Sequence, residues 1–266
     1  MIIKLKKKLK LSINKKITTG VILFILGVIG ILSLLTMNVY LPEVILEEIR
    51  EQFSLEQLKL LLLINPSISL IVATIVGFVL YDKTCLKVPM IEKITGRNEE
   101  KLNILDILKF GIIGGVLAGI VLVLMELIFK ANLSKEFLES KEQFRPTLAV
   151  KLLYGGLTEE IVFRFGLMTF FVWVLSQLIK STKPYVLWLS IIISAVIFAL
   201  SHLPIALMAL PSSSSNLLTY IVLANSVGGV VFGWLYWKKG LESAFIAHAF
   251  AHIFAHFGVF FFFSSI

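Results

Sequence analysis

Long apolar stretches, separated by short polar connections, are the dominant pattern of this chain. Each stretch reaches about 20 residues, and at about 1.5 Å per helical residue this length crosses a hydrocarbon core of about 30 Å. No segment shows the apolar–polar alternation of an outer-membrane strand, so helices must satisfy the backbone hydrogen bonds. The pattern predicts seven spans, at 17–41, 58–81, 104–129, 148–179, 184–203, 217–237 and 241–263.

One further segment affects the number of spans. Residues 203–210 lie next to two prolines, Pro204 and Pro211, and would add a half-helix, which brings the count to eight. The composition agrees with a membrane protein, because 58% of the residues are hydrophobic and the mean hydropathy is +0.93, far above ordinary soluble domains. We therefore expect an all-α, multipass transmembrane helical bundle.

The basic residues are unevenly distributed between the two sets of loops. The first 16 residues hold seven lysines and the loop 82–103 holds five basic residues, and two short linkers on the same side add two lysines each. The connections 42–59 and 130–147 carry six basic residues but also many glutamates. By the positive-inside rule, the N-terminus is cytoplasmic and the C-terminus, after an odd number of spans, is outside. The sequence predicts an integral protein of the plasma (cytoplasmic) membrane.

The net charge of +8 follows from this topology and from contact with anionic lipid headgroups, so no nucleic-acid partner is expected. The basic start resembles a signal sequence, but the apolar run that follows is too long and has no small-residue cleavage site, which predicts an uncleaved anchor. The single cysteine, Cys85, excludes an intramolecular disulfide and a cysteine-based metal site.

Three charged side chains lie close together inside the fourth apolar segment: Glu159, Glu160 and Arg164. Charges at this depth are costly, and they usually mark chemistry or transport. In an α-helix Glu160 and Arg164, four residues apart, share a face, so an ion pair between them would leave Glu159 unpaired. A desolvated carboxyl is suited to general-base work near neutral pH. The plain structural interpretation is a buried polar clamp between helices.

Histidines occur in two later apolar segments. His202 lies at the end of the fifth segment with Phe198 one turn before it, and His248 and His252 lie four apart in the last segment among alanines. Small neighbours let helices approach closely, so both rings can enter one cavity of the bundle. His256, one turn after His252, is expected to be an interfacial residue only.

In order along the chain, Glu159-Glu160-x-x-x-Arg164, Phe198-x-x-x-His202 and His248-x-x-x-His252 resemble the three motifs of the CPBP intramembrane proteases, also called the Abi or type II CAAX prenyl endopeptidase family. The resemblance covers roughly 145–260. Histidine at position 252 is a departure, because the family usually has asparagine or aspartate there. The implied organisation is a basic cytoplasmic N-terminus at 1–16, N-terminal transmembrane helices at 17–144 and a catalytic core at 145–263.

The resemblance implies peptide-bond hydrolysis within the bilayer. Glu159, helped by His202, would take a proton from the attacking water, while His248 and His252 would donate hydrogen bonds to the oxyanion. An alternative uses zinc, with His202, His248 and a glutamate as ligands and water in the fourth place. The sequence leaves both mechanisms open. The expected partners are a peptide or protein substrate in the membrane and the lipid bilayer.

Two other functions remain open at this point. A transporter or proton relay also uses intramembrane Glu, Arg and His, although the chain has no internal repeat of the kind many transporters show. A non-catalytic immunity or membrane partner protein would retain the fold without the chemistry. Either alternative predicts that peptide processing does not depend on Glu159.

Overall fold

The computed structural model describes residues 2–37, 52–99, 101–130, 146–209 and 214–263. These residues are 86% helical and contain no strand, which confirms the all-α bundle. In chain order the α-helices are α1 (Ile2–Ser33), α2 (Leu55–Leu61), α3 (Ile64–Leu80), α4 (Pro89–Ile94), α5 (Ile104–Lys130), α6 (Thr169–Ile179), α7 (Pro184–Leu200), α8 (Leu203–Ala209), α9 (Ser215–Lys239) and α10 (Leu241–Phe263). Two π-helices, π1 (Val150–Glu159) and π2 (Ile161–Met168), lie between α5 and α6.

Six helical stretches in the described residues are long and apolar enough to cross a membrane. They match the first six predicted spans and are Ile13–Thr36, Glu56–Lys83, Ile104–Phe129, Val150–Ile179, Pro184–Leu207 and Ser215–Lys239. The seventh predicted span, 241–263, is α10, with the same bounds. The predicted half-helix is α8, although Leu210 and Pro211 lie outside the described residues, as does the end of the first predicted span, 38–41.

The second and the fifth spans are each interrupted by a short turn, and a proline follows each turn. The second span bends at Leu62 and Leu63, and Pro66 lies in the first turn of α3, where its missing N–H has no partner to lose. The fifth span ends as α7 at Leu200, and His202 lies in the turn before α8. This second break fixes the position of a predicted site residue.

The fourth span differs from the continuous α-helix that the sequence predicted. Ten residues of π1 and eight of π2 make i→i+5 hydrogen bonds, with Glu160 as the single α-helical residue between them. Such helices are rare and short, and are frequent at functional sites. Because the turn is wider, residues five apart share a face, which puts Tyr154 in line with Glu159, and Gly155 in line with Glu160.

The π-helical span is the central helix of the bundle, with α1, α3, α7, α9 and α10 packed around it. Glycines allow the closest approaches: a Cβ at Gly30 of α1 would meet the Leu153 carbonyl oxygen and the Thr158 hydroxyl, and one at Gly166 would meet Ala73 of α3. The Thr158 hydroxyl donates a 2.8 Å hydrogen bond to the carbonyl oxygen of Gly27. The first two spans therefore hold the span that carries the carboxylates.

Small residues also allow close contacts between other pairs of helices. On α5, a Cβ at Gly115 or Gly119 would meet the backbone of α10 at Ala247 or Ala251. On α9, Gly229 lies against Ala195 of α7. Close backbone approach is the usual basis of helix packing in lipid, where the hydrophobic effect gives little drive.

The loop between α3 and α5 closes the end of the bundle that carries most of the lysines. Glu242 accepts a 2.9 Å hydrogen bond from the backbone N–H of Ile91 in α4, and Lys15 donates one of 2.6 Å to the Gly96 carbonyl oxygen. Gly240 has φ +99°, a backbone conformation that L side chains rarely adopt, and a Cβ there would collide with Pro89. Glu92 of α4 is buried, and this desolvation raises the pKa of its carboxyl group.

Candidate active site

Glu160 and Arg164 form a buried ion pair at the inner end of the site. Their side chains are 0% and 1% exposed, and Arg164 Nε lies 3.2 Å from Glu160 Oε2. This is the ion pair that the sequence predicted. The contact is not an aligned hydrogen bond, and the remaining guanidinium nitrogens have no hydrogen-bond partner among the described residues. The rings of Phe198 and Phe232 cover the guanidinium instead, with centroids 4.6 and 5.5 Å from Cζ, and such cation–π contacts offset part of the desolvation cost.

The second carboxylate oxygen of Glu160 connects this ion pair to the last helix, α10. Glu160 Oε1 lies 2.8 Å from His248 Nδ1, so an ionised Glu160 accepts the Nδ1–H of His248. In the neutral ring, this hydrogen bond leaves the lone pair on His248 Nε2, which accepts from His252 Nε2–H at 3.1 Å. Glu160 therefore sets the tautomer of a hydrogen-bonded imidazole pair.

Glu159 lies on the more open side of this pair. Its Oε2 atom is 3.8 Å from His248 Nε2, and its side chain is 17% exposed, whereas that of Glu160 is fully buried. The two adjacent carboxylates consequently have different surroundings. Glu160 is an internal anchor, and Glu159 is a partly exposed carboxylate 3.8 Å from a buried ring nitrogen.

Gly155 makes room for both imidazoles. A Cβ at this position would lie 3.2 Å from the Nε2 atoms of His248 and of His252. The two rings are stacked at a centroid distance of 4.9 Å. Because the π-helical turn places Gly155 in line with Glu160, the missing side chain leaves space directly above the anchor.

His202 joins the cluster through Phe198. Its Nδ1 atom donates to the Phe198 carbonyl oxygen at 2.9 Å, and its ring packs edge-on against the Phe198 ring at 4.8 Å. The same phenyl ring lies 6.1 Å from the ring of His248. His202 also interacts electrostatically with His248 and His252. The end of α7 thus reaches the depth of the carboxylates, and all six predicted site residues converge.

Sequence analysis missed two residues of this cluster. Phe232 of α9 stacks on His248 at 4.6 Å with an interplanar angle of 20°, and Tyr154 of π1 interacts electrostatically with Glu159. One phenylalanine among 21 in the chain carries no signal of its own. Tyr154 shares a face with Glu159 only in the wider turn of a π-helix, which the sequence did not predict.

The structure also bears on metal binding. Among the described residues, no group of three or more His, Cys, Asp or Glu side chains is arranged to hold a metal ion. Both ring nitrogens of His248 have protein partners, and His202 Nδ1 is bonded to a carbonyl oxygen. An Nδ1–H that donates to a carboxylate or carbonyl oxygen is also typical of metal-ligating histidines, so the His248 Nε2–His252 Nε2 hydrogen bond is the contact that a zinc ion at this site would have to displace.

Residues 141–254, which contain all of these side chains, match the model of a protein family described as "Type II CAAX prenyl endopeptidase Rce1-like". The predicted family resemblance is confirmed. Type II CAAX prenyl endopeptidases are membrane proteases, so the match supports an intramembrane endopeptidase activity. No curated protein and no solved structure matches the chain.

Proposed function

We propose that this protein is an intramembrane endopeptidase in which Glu159 activates a water molecule for attack on a peptide bond. The observation that carries the proposal is the contrast between the two carboxylates: Glu160 is fully buried between Arg164 and His248, whereas Glu159 is partly exposed beside the imidazole pair. A general base must reach water, and an anchoring carboxylate must not.

The proposed reaction needs only groups of this cluster. Glu159 takes a proton from water as the water oxygen bonds to the scissile carbonyl carbon, and the carbonyl oxygen becomes an oxyanion. The N–H of the imidazole pair, shared between His248 and His252 in the free site, donates to that oxyanion. The C–N bond then breaks, and the proton held by Glu159 passes to the leaving amine.

The other residues position these groups. Glu160 and Arg164 hold His248 in one tautomer, and the Phe198 carbonyl oxygen fixes the ring of His202. The substrate is a membrane-associated or CAAX-like peptide precursor. We further propose that the protein resides in the plasma membrane with a cytoplasmic N-terminus, in agreement with the excess of lysine in 1–16 and 82–103.

The test compares purified wild type with Glu159→Gln. The probes are fluorogenic peptides that end in a CAAX sequence, with and without a prenyl group, together with mapping of new peptide N-termini in membranes that contain either variant. We expect cleavage and new N-termini with wild type and neither with Glu159→Gln, while size-exclusion and thermal-unfolding profiles stay unchanged. If a folded Glu159→Gln variant cleaved the peptides at the wild-type rate, the proposal would be excluded.

The same samples separate the remaining alternatives. Metal analysis after chelator treatment decides between glutamate and zinc chemistry: cleavage at the full rate without stoichiometric metal supports the metal-free reaction. Loss of solute uptake or proton flux in Glu159→Gln with intact processing would indicate a transporter. Full biological effect of both Glu159→Ala and His202→Ala would indicate a non-catalytic partner.

A further inference from the structure

The catalytic cluster is nearer to one end of the bundle than to the other. We call the end formed by 84–99 and 180–183 the basic end, and the end at Thr36 and Thr147, whose hydroxyls lie 2.6 Å apart, the far end. Thr158, the neighbour of Glu159, bonds to Gly27 of α1. Gly27 is nine residues from Thr36, or about 14 Å at the usual helical rise, and about 21 Å from Ile13 at the other end of that span.

The bundle is tightly packed between the cluster and the basic end. Beyond Glu160 along the same span, Ile161, Phe165 and Met168 have no exposed surface. Leu241 of α10 is equally buried, as is Tyr236 of α9. The polar side chains in this region, Arg164 and Thr169, are also no more than 1% exposed, so the region offers no open route for water from the basic end.

A cavity of about 360 Å³ opens at the basic end but contains none of the site residues. Its inner wall is apolar, and Met168 and Phe165, both fully buried, follow between this wall and Glu160 along the central span. The residues that line the cavity are Asp82, Lys83, Thr84, Cys85, Val172, Ser176, Thr182, Val186 and Leu187. This cavity therefore ends before the catalytic cluster.

Exposure rises from the cluster towards the far end. On α10, residues 241–245 are buried, His252 is partly exposed and His256 is exposed. On π1, residues 151–154 are all partly exposed, including the polar Lys151 and Tyr154. Lys151 also interacts electrostatically with His252. Ionisable side chains at membrane depth usually face the protein interior or a wet cavity, so Lys151 and Tyr154 have the chemistry expected of side chains that line a water route to Glu159.

We propose that the site is entered from the far end and that its substrate is a peptide segment presented at the outer surface of the membrane. The substrate assignment rests on the proposed function, whereas the entry side does not. The far end is outside because the lysine-rich connections lie at the other end of every span that they join. Such a substrate is the exported segment of a membrane-bound protein or peptide, with its scissile bond about 14 Å below that surface.

The test is thiol accessibility in intact cells, and it does not require cleavage. Wild type carries one exposed cysteine, Cys85, at the basic end. In a Cys85→Ser background, Lys151→Cys and Glu159→Cys report on the proposed entry, and Thr182→Cys is the matched control at the rim of the basic-end cavity. A membrane-impermeant thiol reagent is added to the cells, to permeabilised cells and to inside-out vesicles at alkaline pH, because burial raises the pKa of the Cys85 thiol that serves as the native marker.

We expect the thiols introduced by Lys151→Cys and Glu159→Cys to react in intact cells, and Cys85 and the Thr182→Cys thiol to react only after permeabilisation. Two introduced thiols keep the test decisive if one variant fails to fold, as judged by size exclusion. Reaction of the entry thiols only from inside-out vesicles, or from neither side, would overturn the proposal. So would reaction of Cys85 in intact cells, because the far end would then face the cytoplasm.

These outcomes separate entry from chemistry. If the entry thiols react from outside but Glu159→Gln still cleaves peptides, the proposed function fails and the wet route remains. If Glu159→Gln abolishes cleavage but the entry thiols react only from the basic end, the endopeptidase remains and the outer substrate is wrong.

Discussion

Glu160 and His248, 88 residues apart in the sequence, share a 2.8 Å hydrogen bond inside a fully buried part of the bundle. The same carboxyl group contacts Arg164 on its other oxygen. Three charged or polar side chains from two helices thus depend on one another, while Glu159 next to them has no contact closer than 3.8 Å to an imidazole. Substitutions of the two glutamates should therefore have different effects.

Glu159→Gln should abolish cleavage without loss of stability. Removing a general base typically costs about 10²–10⁴-fold in rate, and the side chain lies outside the buried ion pair. Cleavage of the fluorogenic peptide and the unfolding temperature in detergent are the two measurements. A variant that is both inactive and unfolded would assign Glu159 a structural role instead.

Glu160→Gln should lose both activity and stability. The substitution removes the negative charge that faces the buried Arg164 guanidinium in the ion pair. Removing one partner of a buried ion pair typically lowers the free energy of unfolding by about 3–5 kcal/mol. We expect a clear fall in unfolding temperature relative to Glu159→Gln, which serves as the matched control. Equal stability of the two variants would contradict the assignment of Glu160 as the anchor.

Gly155→Ala should reduce cleavage more than stability. The added methyl group lies 3.2 Å from two ring nitrogens, so the imidazoles must shift by a few tenths of an ångström. Misplacement of catalytic groups by about 1 Å costs about 10²-fold, and a smaller shift should cost about tenfold. Gly156→Ala is the control, since its Cβ would make an ordinary 3.5 Å contact with Ala249. Equal rates for the two variants would remove the imidazole pair from the mechanism.

His252→Asn should retain activity, whereas His252→Ala should lose it. An asparagine amide can donate to His248 Nε2 as His252 does at 3.1 Å, and it is the residue that the resembling family usually has at this position. The relative cleavage rates of the two variants measure this hydrogen bond. If the alanine variant is as active as the asparagine variant, no donor is needed at position 252.

Glu92→Gln should stabilise the protein at neutral pH. Burial raises the pKa of Glu92 in the folded protein, so the folded state binds its proton more tightly than the unfolded state. The free energy of unfolding therefore falls as the pH rises from the unfolded pKa of 4.5 through the folded pKa, and this loss persists above it. Unfolding temperatures from pH 4 to 8 should fall more steeply for wild type than for Glu92→Gln, with exposed Glu99→Gln as the control. Parallel curves would show that Glu92 keeps an ordinary environment.

For physical reasons, the sequence was a good guide to the spans and to which charged and histidine side chains lie together. Apolar length sets the membrane helices, and the cost of charge in lipid marked Glu159, Glu160 and Arg164. The arrangement was less predictable. The π-helical turn, the stacking of Phe232 on His248 and the depth of His202 depend on packing between helices, which leaves no periodic signal in an apolar segment.

The central span of the residues that match the family model, 141–254, packs against the first two spans of the chain. Thr158 packs against Gly27 and Gly30 of α1, and Phe165 packs against Gly77 of α3. The first two spans therefore occupy the place of lipid along the helix that carries both carboxylates. Expressed alone, the matched segment would expose this polar helix to acyl chains. Any truncation, chimera or inhibitor design for this protein has to treat the N-terminal helices as part of the catalyst.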